Sequence, residues 1–346
     1  MLNNLSPKTN LSTSVNIDIP PLTQLEPCRA LRIIGFYFVI IFVAGTLLNG
    51  SLLFTLARNR RLRRLSTNIL IGGLLFADFI GSCLEVPLPA LSLIRCRWIF
   101  NKITCTFEGF ISYFIGCSNI YILCLISIDR YNIVTRPVNQ SMKMNYRAYL
   151  SIGCAYMLSL FWTSMPLFGW SFYDYEGIGV SCSIKWTERS VNVISYNISI
   201  LIFVYFAPVI IILVANLKIY QLIRIRRQPN TANLHQSFIR RRHAIERRIL
   251  TTLTLVIGGF LVAWTPYAIL ILIQVFINIA HIPPIMITIP ALIAKTSFIW
   301  NPLILTVRNE DFRRHLPKLT YYNQRSDSNR DTRVMQAYVY QESTIQ

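Results

Sequence analysis

One lysine, Lys295, interrupts the apolar run Ala291-Leu-Ile-Ala-Lys-Thr-Ser-Phe-Ile-Trp-Asn-Pro302, which lies in a stretch of roughly membrane-spanning length. An ammonium near the middle of a spanning helix costs roughly 2.5–3.5 kcal/mol on insertion scales, so a cavity, a counter-ion or a ligand is its default explanation. Snorkelling to the interface needs a place near a helix end, and Lys295 sits well inside the run between Pro284 and Arg308. A lysine amine in a dry pocket can condense with an aldehyde to a Schiff base that water would otherwise hydrolyse. That chemistry calls for an apolar pocket and a nearby carboxylate.

Glu108 lies one turn past Cys105 in the third apolar stretch, and Asp129-Arg130 follow about 33 Å further along at helical rise. That separation matches the hydrocarbon layer, so Glu108 belongs near one surface and Asp129-Arg130-Tyr131 at the other. Lys295 is about 10 Å from Pro302 by the same count, a depth at which Glu108 and Lys295 could meet. Glu85 lies two turns beyond Asp78 on a similar helix face and is a further candidate carboxylate. Its alternative is a carboxylate that stays protonated or bonds locally.

These residues need elements to hold them, and the composition says which kind. The chain has 346 residues, 53% of them hydrophobic and 14% charged. Mean hydropathy is +0.45, too apolar for a soluble domain. The net charge of +19 sits in short runs between apolar segments, such as Arg58 to Arg64 and Arg224 to Arg242. That is the positive-inside pattern of a membrane protein, and nucleic acid is excluded as a partner. The loops after the odd-numbered spans are then cytoplasmic and the N-terminus extracellular, where the Asn4 and Asn10 sequons can carry glycans. Asn139-Gln-Ser141 falls on the cytoplasmic side and reads as a chance match.

Apolar runs, charge and proline punctuation predict spans near 31–57, 67–93, 102–135, 147–170, 191–223, 240–275 and 283–307. The expected fold is an all-α membrane protein, a seven-transmembrane helix bundle with a short cytoplasmic amphipathic helix. Residues 1–30 form an extracellular segment without a cleavable signal core, and 31–308 form the bundle. Residues 309–320 read as the amphipathic helix and 321–346 as a disordered cytoplasmic tail with phosphorylatable Ser326, Ser328 and Thr332. No repeat suggests a transporter, and no clustered ligands suggest a metal.

The segments Cys105-Thr-Phe-Glu-Gly109, Asp129-Arg-Tyr131, Ala263-Trp-Thr-Pro-Tyr267, Ala294-Lys-Thr-Ser297 and Asn301-Pro302 together resemble the animal opsins of the rhodopsin-like G-protein-coupled receptors. The resemblance runs from about residue 30 to residue 316, and Asn49, Asp78, Pro208, Pro266 and Pro302 stand at that family's reference positions. It implies a light-activated receptor, not an enzyme, that binds retinal through Lys295, expected as the 11-cis form. Glu108 matches one counter-ion position and Glu176, in the second extracellular loop, another. The working counter-ion stays undecided, although replacing Glu108 or Glu176 is expected to lower the Schiff-base pKa more than replacing Glu85. The resemblance also implies a Cys105–Cys182 bridge, a retinal pocket touched by Trp264, Tyr267 and Gly116, and a switch made by Asp129, Arg130, Tyr131 and Glu246. Cys28 and Cys96 both fall outside and are candidates for a second bridge.

Implied partners are a heterotrimeric G protein, with receptor kinase and arrestin at the tail, and membrane lipid. The implied location is the plasma membrane or a photoreceptor-cell membrane. Two departures bear on signalling: the Asn-Pro-x-x-Tyr motif ends in Leu305, and a fifth-helix tyrosine is replaced by Asn216. They keep a retinal photoisomerase as the alternative reading. A chemoreceptor with an incidental lysine predicts no pigment, and an ion pump fails for want of a carboxylate chain across the bilayer.

Overall fold

The structure, a computed structural model, describes residues 28–60, 62–135, 141–225, 235–277 and 283–308, with the side chains of 141–144, 225 and 235–246 not described. Ten α-helices occur in chain order among these residues: α1 Cys28–Arg58, α2 Ser66–Leu84, α3 Pro87–Ile94, α4 Lys102–Thr135, α5 Ser141–Ser164, α6 Val191–Ile200, α7 Ala207–Ile225, α8 His235–Phe276, α9 Pro284–Lys295 and α10 Ser297–Arg308. They make seven segments long and apolar enough to cross a membrane, close to the predicted spans. The Asn4 and Asn10 sequons, the 309–320 helix, the tail and the side chain of Glu246 lie outside the described residues.

Three spans are broken, each with a proline in the same span. Pro87 has no N–H to continue the second span, so α2 stops before Glu85 and α3 starts after it. At the break, Glu85 N–H and Val86 N–H both donate to Gly81 O, at 2.9 and 3.2 Å. The fifth span passes through a π-turn, Leu201–Phe206, just before Pro208. In the seventh span, α9 ends at Lys295 and α10 begins at Ser297. Pro302 cannot donate to Phe298 O four residues back, and Asn49 Nδ2 from α1 takes that carbonyl at 3.0 Å.

The third span is the axis of the bundle: 72% of its most apolar window is buried, against 28% for the first, fourth and fifth. Exposed Ile33, Phe36 and Ile40 on α1, like Ile210, Leu213 and Leu217 on α7, are the apolar faces a lipid environment would cover. Inside, Asp78 ties three spans, accepting from Asn119 Nδ2 at 2.7 Å and from Asn301 Nδ2 at 2.8 Å. Outside the spans, β1 Tyr173–Glu176 pairs antiparallel with β2 Ser181–Ile184, with Glu176 opposite Ser181. Gly177 and Gly179 take positive φ in the connecting turn. This hairpin lies over the outer end of the bundle.

Candidate functional site

Lys295, 3% exposed, ends α9 and points into the bundle. Its Nζ donates to Glu108 Oε1 at 2.7 Å, to Ser112 Oγ at 3.1 Å and, at close range, to Glu85 Oε1. Both carboxylates are fully buried. The cation therefore sits between two acids from different spans, Glu85 presented by the break before Pro87 and Glu108 by the first turns of α4. Removing one partner from such a buried ion pair typically costs about 3–5 kcal/mol, because an uncompensated charge remains.

The two acids differ in their second oxygens. Glu108 Oε2 accepts Cys182 N–H of β2 at 2.5 Å. Glu85 Oε2 is buried with no hydrogen-bond partner among the described residues. A disulfide joins Cys105 to Cys182, with Cα atoms 5.4 Å apart, so the strand that donates to Glu108 is anchored on the helix that carries it. A second disulfide joins Cys28 to Cys96, whose Cα atoms are 5.7 Å apart.

Glu176 is placed differently. Its Oε1 accepts from Tyr267 OH at 2.8 Å, Ser183 Oγ at 2.9 Å and Trp186 Nε1 at 3.3 Å, and no ion pair joins it to Lys295 among the described residues. Burial pushes its carboxyl above the usual range, against the opposing pull of Lys295 and these hydrogen bonds. Asp174, two residues earlier on the same strand, goes the other way. Burial works to raise it, but Lys102 Nζ at 2.5 Å and Lys185 Nζ at 3.0 Å hold it below the carboxylate range. Glu85 thus touches the ammonium, while Glu176 accepts from loop and α8 donors.

Two small adjoining hollows share the walls Tyr113, Trp264 and Tyr267. The first ends at Lys295, with Ser112, Glu176 and Ser183 in its lining. The second is apolar, running between Ile120, Ile200, Val204, Phe260 and Ile271. Gly116 faces it, and a Cβ there would fall 2.5 Å from the Trp264 ring. Phe260 stacks on Trp264 with ring centres 5.7 Å apart, and Trp264 Nε1 donates to Ser297 Oγ at 3.2 Å across to α10. The layout therefore sets a reactive amine at one end and an apolar lining at the other.

At the opposite end of α4, Asp129 accepts from Ser66 Oγ at 2.8 Å and also from Thr67 Oγ1. Lys218 Nζ stands 5.9 Å from the Tyr131 ring centre. The Arg130–Glu246 contact expected from sequence involves a side chain outside the described residues. Asn216 Nδ2 donates to Ile212 O at 2.8 Å and Ser127 Oγ at 3.4 Å, and Leu305 is buried. Among the described residues no group of three or more His, Cys, Asp or Glu is arranged to hold a metal ion.

Several site residues escaped the sequence reading. Ser112 stands four residues past Glu108, a spacing that could have flagged it. Ser183 and Trp186 gave no signal, since nothing local says where a loop strand folds back.

Residues 48–305 match the family described as 7 transmembrane receptor (rhodopsin family). Over 298 residues the chain is 28% identical to a rhodopsin of Loligo forbesii, covering 84% of this chain and 66% of that protein, just under two thirds of its length. It is 30% identical over 300 residues to a compound eye opsin of Hemigrapsus sanguineus, covering 83% of this chain and 78% of that one. Among solved structures, squid rhodopsin superposes with a TM-score of 0.76 at 27% identity, over 85% of this chain and 86% of the other.

Proposed function

Because the chain belongs to the rhodopsin family of seven-transmembrane receptors, and within it to the animal opsins, we propose that it is a light-activated receptor that carries retinal on Lys295 and signals to a heterotrimeric G protein. One observation carries this reading: the Lys295 ammonium is buried between Glu85 and Glu108 and lines a hollow whose neighbour, across Tyr113, Trp264 and Tyr267, is apolar. Retinal held there, taken up in the 11-cis form, supplies light absorption and the isomerisation to all-trans.

The protein supplies the rest. Lys295 Nζ would hold the aldehyde end of retinal. Glu85 and Glu108 favour the positive charge on that nitrogen, and Glu108 is kept in place by Cys182 N–H. Ser112 Oγ offers a neutral partner on the same face. Trp264 and Tyr267 on α8, with the bare Gly116 opposite, form the wall against which a change of ligand shape presses. A helix displaced near Pro266 would move its cytoplasmic end and open the Asp129-Arg130-Tyr131 region to a G protein. Kinase and arrestin binding belong to the tail in this reading, and the protein resides in the plasma or photoreceptor-cell membrane with its N-terminus outside. No feature of the fold or of the relatives favours the isomerase alternative.

The test is reconstitution. Purified protein supplied with 11-cis retinal should gain a band in the visible or near ultraviolet that Lys295→Ala abolishes. A band that survives Lys295→Ala would overturn attachment at that residue.

A further inference from the structure

The tip of the extracellular hairpin reaches α9 through a hydroxyl. Ile178 N–H donates to Thr288 Oγ1 at 3.1 Å, and that hydroxyl donates onward to Pro284 O at 2.9 Å. Both Ile178 and Thr288 are buried. The approach leaves no room for a side chain at the preceding position. Gly177 has φ +55°, and a Cβ there would fall 2.1 Å from Thr288 Oγ1 and 2.7 Å from Pro284 O. One turn past Thr288 on α9 is Ala291, and the next turn carries Ala294 and Lys295, all three lining the hollow at the lysine. The same hairpin is held to α4 by Cys105–Cys182 and by Cys182 N–H on Glu108, and to α8 by Tyr267 OH on Glu176.

We propose that Thr288 is a positioning residue of the chromophore site: by clasping the Gly177–Ile178 tip onto α9 it closes the outer side of the hollow at Lys295 and slows water and other nucleophiles in reaching the linkage formed there. The inference rests on the reading that retinal is attached at Lys295. Its physical basis is twofold. A carbon–nitrogen double bond survives only where water is kept out. Removing the Thr288 oxygen would leave the buried Ile178 N–H unsatisfied, which raises the population of locally open loop arrangements.

Hydroxylamine in the dark reads that access: its nitrogen adds to the linkage carbon and displaces the Lys295 amine, giving retinal oxime and free lysine. With the full-length pigment, Thr288→Val should speed the loss of the visible band about tenfold, and Thr288→Ser, which keeps the hydroxyl, should stay near the parent rate. Gly177→Ala should behave like Thr288→Val. Tyr156→Phe, which removes a part-buried hydrogen bond from α5 to Gly73 O of α2, away from the hairpin, serves as the control and should leave the rate unchanged. In retinal-free protein, amide hydrogen exchange at Ile178 should quicken in Thr288→Val and not in Thr288→Ser. Equal hydroxylamine rates for the parent and Thr288→Val, or equal acceleration by Tyr156→Phe, would overturn the clasp. Should Thr288→Val form no pigment, acceleration by Gly177→Ala with none by Thr288→Ser supports it, and equal rates for those two refute it. Failure of the parent protein to form a pigment would instead remove the retinal reading itself.

Discussion

At Lys295 two acids share one cation, and each makes a distinct contribution. A carboxylate beside a positive nitrogen favours its charged form, so Glu85→Gln and Glu108→Gln should each lower the pH at which the pigment loses its visible band by about one unit or more, one unit being about 1.4 kcal/mol. Glu176→Gln should move that titration less, since its donors are Tyr267, Ser183 and Trp186. Spectral titration in which Glu176→Gln gives the largest shift would contradict the assignment. Glu176 has a pH signature of its own. Its folded carboxyl binds a proton more tightly than the unfolded one, so stability from this group is full below the ordinary glutamate value near 4.3 and declines as pH rises toward the raised folded value. Melting curves of the retinal-free protein should therefore show a fall in Tm above about pH 4.3 that Glu176→Gln flattens.

Element by element, the helix breaks govern where the acids and the lysine point. Pro87 interrupts the second span and sets Glu85 in the break, so Pro87→Ala should restore a continuous helix and make the pigment titrate like Glu85→Gln. An unchanged titration would show that the break does not aim the carboxylate. The seven spans were legible from apolar runs and basic loops because lipid demands continuous apolar helix. Lys295 and Glu108 were legible too, since helical rise alone fixes their depth. The contact of Glu85 with Lys295 and the partners of Glu176 were not. A regular helix carried two turns from Asp78 does not include the distortion at Pro87, and the path of a loop strand depends on contacts far away in the chain. Cys28 and Cys96 show the same limit: topology puts them on one side, but only the fold brings their Cα atoms to 5.7 Å.

For the molecule as a whole, the hollow joins the lysine end to the apolar end through the Trp264–Tyr267 wall on α8, and Gly116 opposite leaves that wall its space. Gly116→Phe should block pigment formation, and Gly116→Ala should permit it with a shifted absorption maximum; normal yield from Gly116→Phe would mean the ligand lies elsewhere. The end of the bundle that carries Asp129-Arg130-Tyr131 has Asn216 and Leu305 where the resembled family has tyrosines, and there Asp129 accepts from Ser66 and Thr67. Nucleotide exchange on a purified heterotrimeric G protein should nonetheless rise on illumination of the pigment. All of this depends on one covalent attachment. Borohydride reduction of the reconstituted protein, followed by mass analysis of its peptides, should find a retinyl group on Lys295, and recovery of that peptide unmodified, with retinal released or bound to a different lysine, would contradict the account.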